Sequence, residues 1–267
     1  WHLITRLCAR HFVKALKRFD MKNHNVILHI PHSSVLIPSD CEFLISESDL
    51  ASEIHNMTDH KTDTLFVLSG ARRLVFPVSR LVVDPERFIE DSMESVGMGV
   101  VYTHTADGRP LRHISDTDRQ VLINTYYHPH HSKLTQMVDA CLVQHGCCLI
   151  IDCHSFSSHP LPYEQDTNRP DICIGTCEFH TSKELISSLS EGLSSKGYEV
   201  AVNSPYSGTI VPIKHYHKDQ RVSSVMIEIN RRLYTNTADY LNLQRHLSEV
   251  MSRLSIISKQ GLRGQLG

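Results

Sequence analysis

The chain has 267 residues, 40% hydrophobic and 21% charged, which excludes a disordered tail and is long enough to bury a sizeable core. With 27 Lys plus Arg against 29 Asp plus Glu the formal net charge is −2, so a nucleic-acid binder or a membrane-surface binder held by charge is not expected. Histidine, at 19 residues, is the unusual count, and it directs attention to metal ligation and proton transfer.

Residue 1 is Trp, and the basic stretch 1–20 precedes Met21. It lacks the apolar core and small-residue cleavage site of a signal peptide. Residues 1–20 are read as an N-terminal extension, 21–259 as one α/β domain and 260–267 as a tail. Residues 26–30 (VILHI) form a short apolar run that predicts a buried strand. Residues 48–68 predict a helix, capped by Ser48 and closed by Gly70, with Leu50, Ile54, Met57, Leu65 and Leu68 near helical spacing. Strands are predicted over 73–76 and 78–83, split by Pro77, followed by an irregular stretch over 90–120. A helix over 124–145 is expected to break near Pro129 and to stop at Gly146. Strands at 148–152 (CLIID) and 171–175 (DICIG), a helix at 181–196, strands at 198–202 and 222–229 and a closing helix at 238–257 complete the reading. Strands separated by helices predict an α/β fold with a mixed central sheet flanked by helices. No run of 18 apolar residues occurs, so no spanning helix is expected. None of the eight cysteines makes a CxxC pair, and the adjacent Cys147 and Cys148 suit no disulfide framework; a reducing cytoplasm is the expected compartment.

Chemistry-bearing residues gather just after the predicted strands, where open α/β sheets bind ligands. His32 follows Pro31 past the first strand, whereas His29, inside it, reads as a packed strand histidine. Asp152-Cys153-His154-Ser155 follows CLII. His154 reads as a metal ligand with Asp152 as its anchor. A serine hydrolase is the competing reading, but neighbours on an extended strand face opposite ways, and no G-x-S-x-G elbow is present. Glu228, at the end of the strand at 222–229, reads either as a general base or as one half of a surface ion pair with Arg231 or Arg232. Asp59 and Asp63, four apart on the predicted 48–68 helix, share one face, and either could complete a His, carboxylate, His set with an open position, the arrangement of catalytic zinc. Asp59, nearer the strand-end loops, is the preferred ligand, with Asp63 the fallback and otherwise expected to orient a histidine or an arginine. Arg80 and Arg87 suit a substrate carboxylate, or else pair with Asp84 or Glu86.

In order along the chain, HIPHSS, TDHKTD, SRLVVDPERF, YYHPHH, IIDCHSF, DICIG, NSPYSG and IEINRRLY resemble the N-formylglutamate amidohydrolase family over about residues 27–234, with SRLVVD, DCHSF and EINRRLY the most specific blocks. The resemblance implies a zinc-carboxypeptidase-like fold and hydrolysis of N-formylglutamate to glutamate and formate, a late step in one route of histidine breakdown. It implies a metal set of His32, Asp59 and His154, holding Zn or another divalent ion, with Glu228 as general base. Arg80 and Arg87 would bind the substrate's carboxylates or polarise its scissile carbonyl. The expected partner is a small-molecule N-acyl amino acid, with no nucleic acid and no membrane. The chain departs from the family at one point: a block that usually reads Asp-x-Asn-Arg is here Asp84-Pro85-Glu86-Arg87. A carboxylate in place of an amide disfavours an anionic substrate and leaves room for hydrolysis of another N-acyl amino acid or peptide. A non-catalytic binding protein of the same fold is the alternative from another class.

Overall fold

A computed structural model describes residues 23–162 and 164–261, so the extension expected over 1–20 lies outside the described residues. Six strands form one mixed sheet in the order β2-β1-β3-β6-β4-β5: β1 (Val26–Ile30), β2 (Arg72–Val75), β3 (Cys148–Phe156), β4 (Ile172–Gly175), β5 (Val200–Val202) and β6 (Val222–Asn230). Neighbours pair in parallel except β4 against β6. The expected α/β architecture is therefore present. β1 and β3 are buried along their whole length, which is why they read as near-continuous apolar runs.

The two faces of these strands enter different cores. Val26, Leu28 and Ile30 of β1 join Leu149 and Ile151 of β3 in packing against α5 (Lys183–Ser194) and α6 (Thr237–Gly261), through Leu185, Leu189, Leu243 and Leu247. Ile27, Cys148 and Ile150 face the other way, onto Leu134, Val138 and Cys141 of α4 (His128–His145). The period-two alternation of a strand thus sends His29, Asp152 and His154 to the α4 side of the sheet. Register then sets their neighbours: His29 lies beside Asp152, and His154 beside Glu228.

Three expectations are corrected. The 48–68 helix is two pieces, α1 (Glu47–Met57) and α2 (Thr62–Leu65), and the cap is Ser46, whose side chain accepts from Asp49 N. At Thr58 the backbone turns extended, and Lys61 adopts a positive φ of 61°, so Asp59 stands on a loop. The strand expected over 78–83 is a series of turns; Ser79 N bonds Leu36 O and Asp84 N bonds Val100 O, outside any sheet. The helix expected to break near Pro129 does not break. It begins at α3 (Asp116–Leu122), widens into a π turn over Ile123–Tyr127, and continues as α4 with Pro129 in its first turn. The wide turn ends two residues before Pro129, which lacks an amide donor, so the ladder re-forms around it. No helix among the described residues is long and apolar enough to cross a membrane, and no disulfide joins the described cysteines.

Candidate active site

The carboxyl ends of β1, β3 and β6 open into a cleft of about 440 Å³, lined by His32, Asp59, Arg80, Glu86, Arg87, His154 and Glu228 among others. Sequence distance between these residues reaches nearly two hundred positions, yet one donor atom each from His32, Asp59 and His154 falls within 4.8 Å of the others. Three loops produce this. Asp59 N bonds His32 O at 3.0 Å, tying the loop after α1 to the end of β1. Arg231 donates to Thr58 O at 2.5 Å and to Asn56 O at 3.0 Å, satisfying carbonyls that the end of α1 leaves orphaned. Tyr234 Oη donates to His60 O at 3.1 Å. Asp59 is therefore held from both flanks by the single turn that follows β6 (Arg231–Tyr234).

The two imidazoles are oriented alike. His32 Nδ1 and His154 Nδ1 face Asp59 Oδ2 at 3.6 and 3.2 Å. Their opposite nitrogens reach buried carboxylates, His32 Nε2 to Asp84 Oδ1 at 2.9 Å and His154 Nε2 to Asp152 Oδ1 at 3.1 Å. A carboxylate on the far nitrogen fixes the tautomer and turns the other lone pair inward. Two imidazole lone pairs and a carboxylate oxygen then converge on one point, and His32 Nδ1, though buried, has no hydrogen-bond partner among the described residues. Burial opposes the charge on Asp59, but the hydrogen bond from His154 and the nearby His32 ring outweigh it and hold the carboxyl below its usual range. Burial likewise opposes a charge on His154, but Asp152 and Asp59 outweigh it and raise the ring well above its usual value. The pocket demands positive charge where these atoms meet. This donor set fits a divalent ion of the zinc type.

Asp63 does not join it. It sits on α2, away from the cleft lining, and Arg73 bonds its main-chain oxygen, so neither the shared helical face nor a side-chain orienting role survives. The serine-nucleophile reading has no geometry either, since both nitrogens of His154 are engaged by Asp59 and Asp152.

Glu228 enters the cleft from β6, in register with His154. It is buried, which argues against the surface ion pair, and its Oε2 has no hydrogen-bond partner among the described residues. Burial raises its pKa to about 8, with the charge of His154 pulling it down and that of Asp59 adding to the rise. Arg80 donates through Nε and Nη2 to Asp84 Oδ2, at 3.2 and 2.7 Å, and Tyr102 Oη donates to the same oxygen at 2.8 Å. Pairing with Asp84, the competing reading for this arginine, is therefore realised, although Arg80 still lines the cleft. Arg87 approaches Asp84 Oδ2 only to 3.8 Å, and its Nε has no hydrogen-bond partner among the described residues.

Glu86, the departure from the family pattern, lies 3.2 Å from His29 Nδ1. Burial and the charge of Asp152 push its carboxyl well above the usual range, which favours the neutral form and weakens its repulsion of an anion. His29 is more than a packed strand residue: Nδ1 bonds Asp152 Oδ1 and Nε2 meets His130 Nε2, both at 2.8 Å. This chain of partners, His130–His29–Asp152–His154, is not legible as a unit in the sequence, because His130 lies on α4 and only the sheet register aligns the rest.

The histidines behind the site make the fold acid-sensitive. Burial pushes His130 down to about 2, with the charge of His29 adding to it, and His131 down to about 4. Unfolded, each ring binds a proton near pH 6.5; folded, His131 does so only near 4. Below pH 6.5 the unfolded chain therefore holds more protons at this position, and the folded state loses stability as pH falls towards 4. His131 Nε2 donates to Pro85 O at 3.0 Å, and His131→Gln keeps a donor while removing the titration. Between pH 6.5 and 4.5 the variant should lose about 2 kcal/mol less unfolding free energy in urea than the wild type. Parallel pH dependences would show that His131 does not titrate in this way.

The fold is shared with solved structures. An N-formylglutamate amidohydrolase from Ralstonia eutropha JMP134 matches at a TM-score of 0.78 and 22% identity, covering 90% of this chain and 96% of that one. The gene product Atu2144 of Agrobacterium tumefaciens matches at 0.69 and 20% identity, covering 90% and 93%. The chain belongs to the N-formylglutamate amidohydrolase family, whose sequence profile matches residues 24–235. Two curated relatives are N-formylglutamate deformylases. That of Pseudomonas aeruginosa is 24% identical over 78% of this chain and 81% of its own, and that of Pseudomonas putida 22% identical over 67% and 70%.

Proposed function

We propose that this chain hydrolyses N-formylglutamate to glutamate and formate with the help of a divalent ion, most simply Zn²⁺, held by His32, Asp59 and His154. The observation that carries the reading is the convergence of His32 Nδ1, His154 Nδ1 and Asp59 Oδ2 beside Glu228 in one strand-end cleft. When bound, the ion supplies Lewis acidity, which lowers the pKa of water and polarises a carbonyl. The chain's own groups do the rest. Glu228 takes the proton of the attacking water and returns it to the departing amine. Arg80, locked onto Asp84, presents a fixed positive edge to the oxygen on which charge develops. Arg87, whose guanidinium is less engaged, binds a substrate carboxylate. Glu86, its carboxyl pushed well above the usual range by burial, opposes that carboxylate less than an ordinary glutamate would. Free glutamate and formate are the products, which suits the late step of histidine breakdown. The absence of disulfides among the described cysteines favours a reducing compartment, and we place the reaction in the cytoplasm.

The test is formate release from N-formyl-L-glutamate by purified protein, before and after chelation and after adding back Zn²⁺, Mn²⁺ or Co²⁺. Activity that is lost on chelation and restored by one of these ions supports the reading. Hydrolysis unaffected by complete metal removal overturns the metal site. Hydrolysis of N-acetylglutamate or N-formylmethionine in preference to N-formylglutamate overturns the substrate.

A further inference from the structure

Four guanidinium groups stand in or beside the cleft, and they differ in how their charge is balanced. Arg80 is committed to Asp84 through two nitrogens. Arg169 pairs with Glu164, whose other oxygen takes the Tyr206 hydroxyl. Arg87 adds a second positive charge to the single negative charge of Asp84, so one positive charge is left over on that side. Arg231 makes no ion pair among the described residues. Its Nη1 and Nη2 donate to the carbonyls of Thr58 and Asn56, which fix the group without neutralising it. Two of its five N–H donors are used in this way, and the rest stay available. Arg231 also lies where the catalytic cleft opens into an adjoining cavity of about 300 Å³, lining both.

Two guanidinium groups that line the cleft are thus left without a close carboxylate partner of their own, Arg87 in the turns that follow β2 and Arg231 in the turn that follows β6. A ligand with two carboxylates matches this arrangement. We infer that Arg231 is the anchor for the side-chain carboxylate of the substrate, a specificity-determining contact distinct from the one Arg87 makes. The inference rests on the N-formylglutamate reading and adds to it the residue that distinguishes an acidic side chain from a neutral one. Arg231 also holds the loop that carries Asp59, so loss of activity alone would not reveal this role.

The experiment compares N-formyl-L-glutamate with N-formyl-L-glutamine, which has the same shape and lacks the distal charge, in the wild type and in Arg231→Gln. The glutamine substitution keeps amide donors for the α1 carbonyls and removes the cation. The wild type should prefer N-formylglutamate in kcat/KM by on the order of 10²-fold, the scale of removing a charge-assisted hydrogen bond from a buried site. Arg231→Gln should collapse that preference to within about threefold, mainly through KM for N-formylglutamate. A purely structural arginine would lower both substrates together and keep their ratio, and that result overturns the inference. Should Arg231→Gln not fold, Arg231→Lys decides by the same ratio: a preference narrowed about tenfold supports the contact, since an ammonium cannot reproduce a guanidinium fork, and an unchanged preference overturns it. A wild type inactive on N-formylglutamate refutes the parent reading instead, whereas an active wild type with no preference between the two substrates refutes only the anchor.

Discussion

Asp59→Ala is expected to release the bound ion and, with it, at least about 10³ of kcat, while Asp63→Ala keeps both near the wild-type level. The prediction follows from where the chain breaks its helix. Asp59 lies on the loop between α1 and α2, with its carboxylate facing the Nδ1 atoms of His32 and His154, and its loop is pinned by Arg231 and Tyr234. Asp63 faces neither histidine, and its one described hydrogen bond is made by its main-chain oxygen. The carboxylates behind the histidines should show an intermediate effect. Asp84→Asn and Asp152→Asn leave the ligands in place and weaken only their orientation and basicity, which typically costs about 10–100-fold in metal affinity. The measurement is the dissociation constant for Zn²⁺ by chelator competition across the four variants, together with kcat at saturating metal. The order Asp59→Ala well above Asp84→Asn and Asp152→Asn, and those above Asp63→Ala, is the expected one. Equal losses in Asp59→Ala and Asp63→Ala would remove Asp59 from the ligand set.

The strand-end histidines are readable in sequence because a buried parallel strand is a continuous apolar run, and a polar residue at its end stands out. His32 after VILHI and His154 after CLII emerge in this way, as does Glu228 after VMI. Asp59 does stand beside His32 and His154, although the reading that picked it rested on a continuous helix that the chain does not form. Leu65 and Leu68 continue the helical spacing past Met57, and periodicity alone does not register a turn whose carbonyls are satisfied by an arginine more than 170 residues further on. Asp84, the partner of both His32 and Arg80, reads in sequence only as a mate for an arginine. The turns that replace the expected strand over 78–83 carry it, fully buried, behind His32. The role of Arg231 is hidden for a related reason. In sequence its obvious neighbour is Glu228, three residues back, yet the guanidinium reaches across to the end of α1. What a single chain encodes locally, such as strand ends and apolar faces, is legible; contacts made by long polar side chains between loops depend on the assembled sheet.

Glu228→Gln should lower kcat by on the order of 10²–10⁴ while leaving metal content unchanged. The residue sits beside His154 across the β3–β6 pairing, deep enough that burial lifts its pKa to about 8. A carboxyl poised near neutrality can accept a proton from the attacking water and then release it to the amine, which a carboxylate with an ordinary pKa would do poorly in the second step. Glutamine preserves the size and the polar contact of the side chain and removes only the capacity to carry a proton. The fold should therefore hold, with a melting temperature at or above that of the wild type, because a buried ionisable group has been replaced by a neutral one. KM for N-formylglutamate should change little, since Glu228 is not asked to bind the substrate's carboxylates, and the loss should appear in kcat and kcat/KM alike. Two outcomes would reassign the residue. A variant that hydrolyses at the wild-type rate shows that the proton travels by another group. A variant that loses its metal shows that the Glu228 carboxylate belongs to the ligand set with His32, Asp59 and His154.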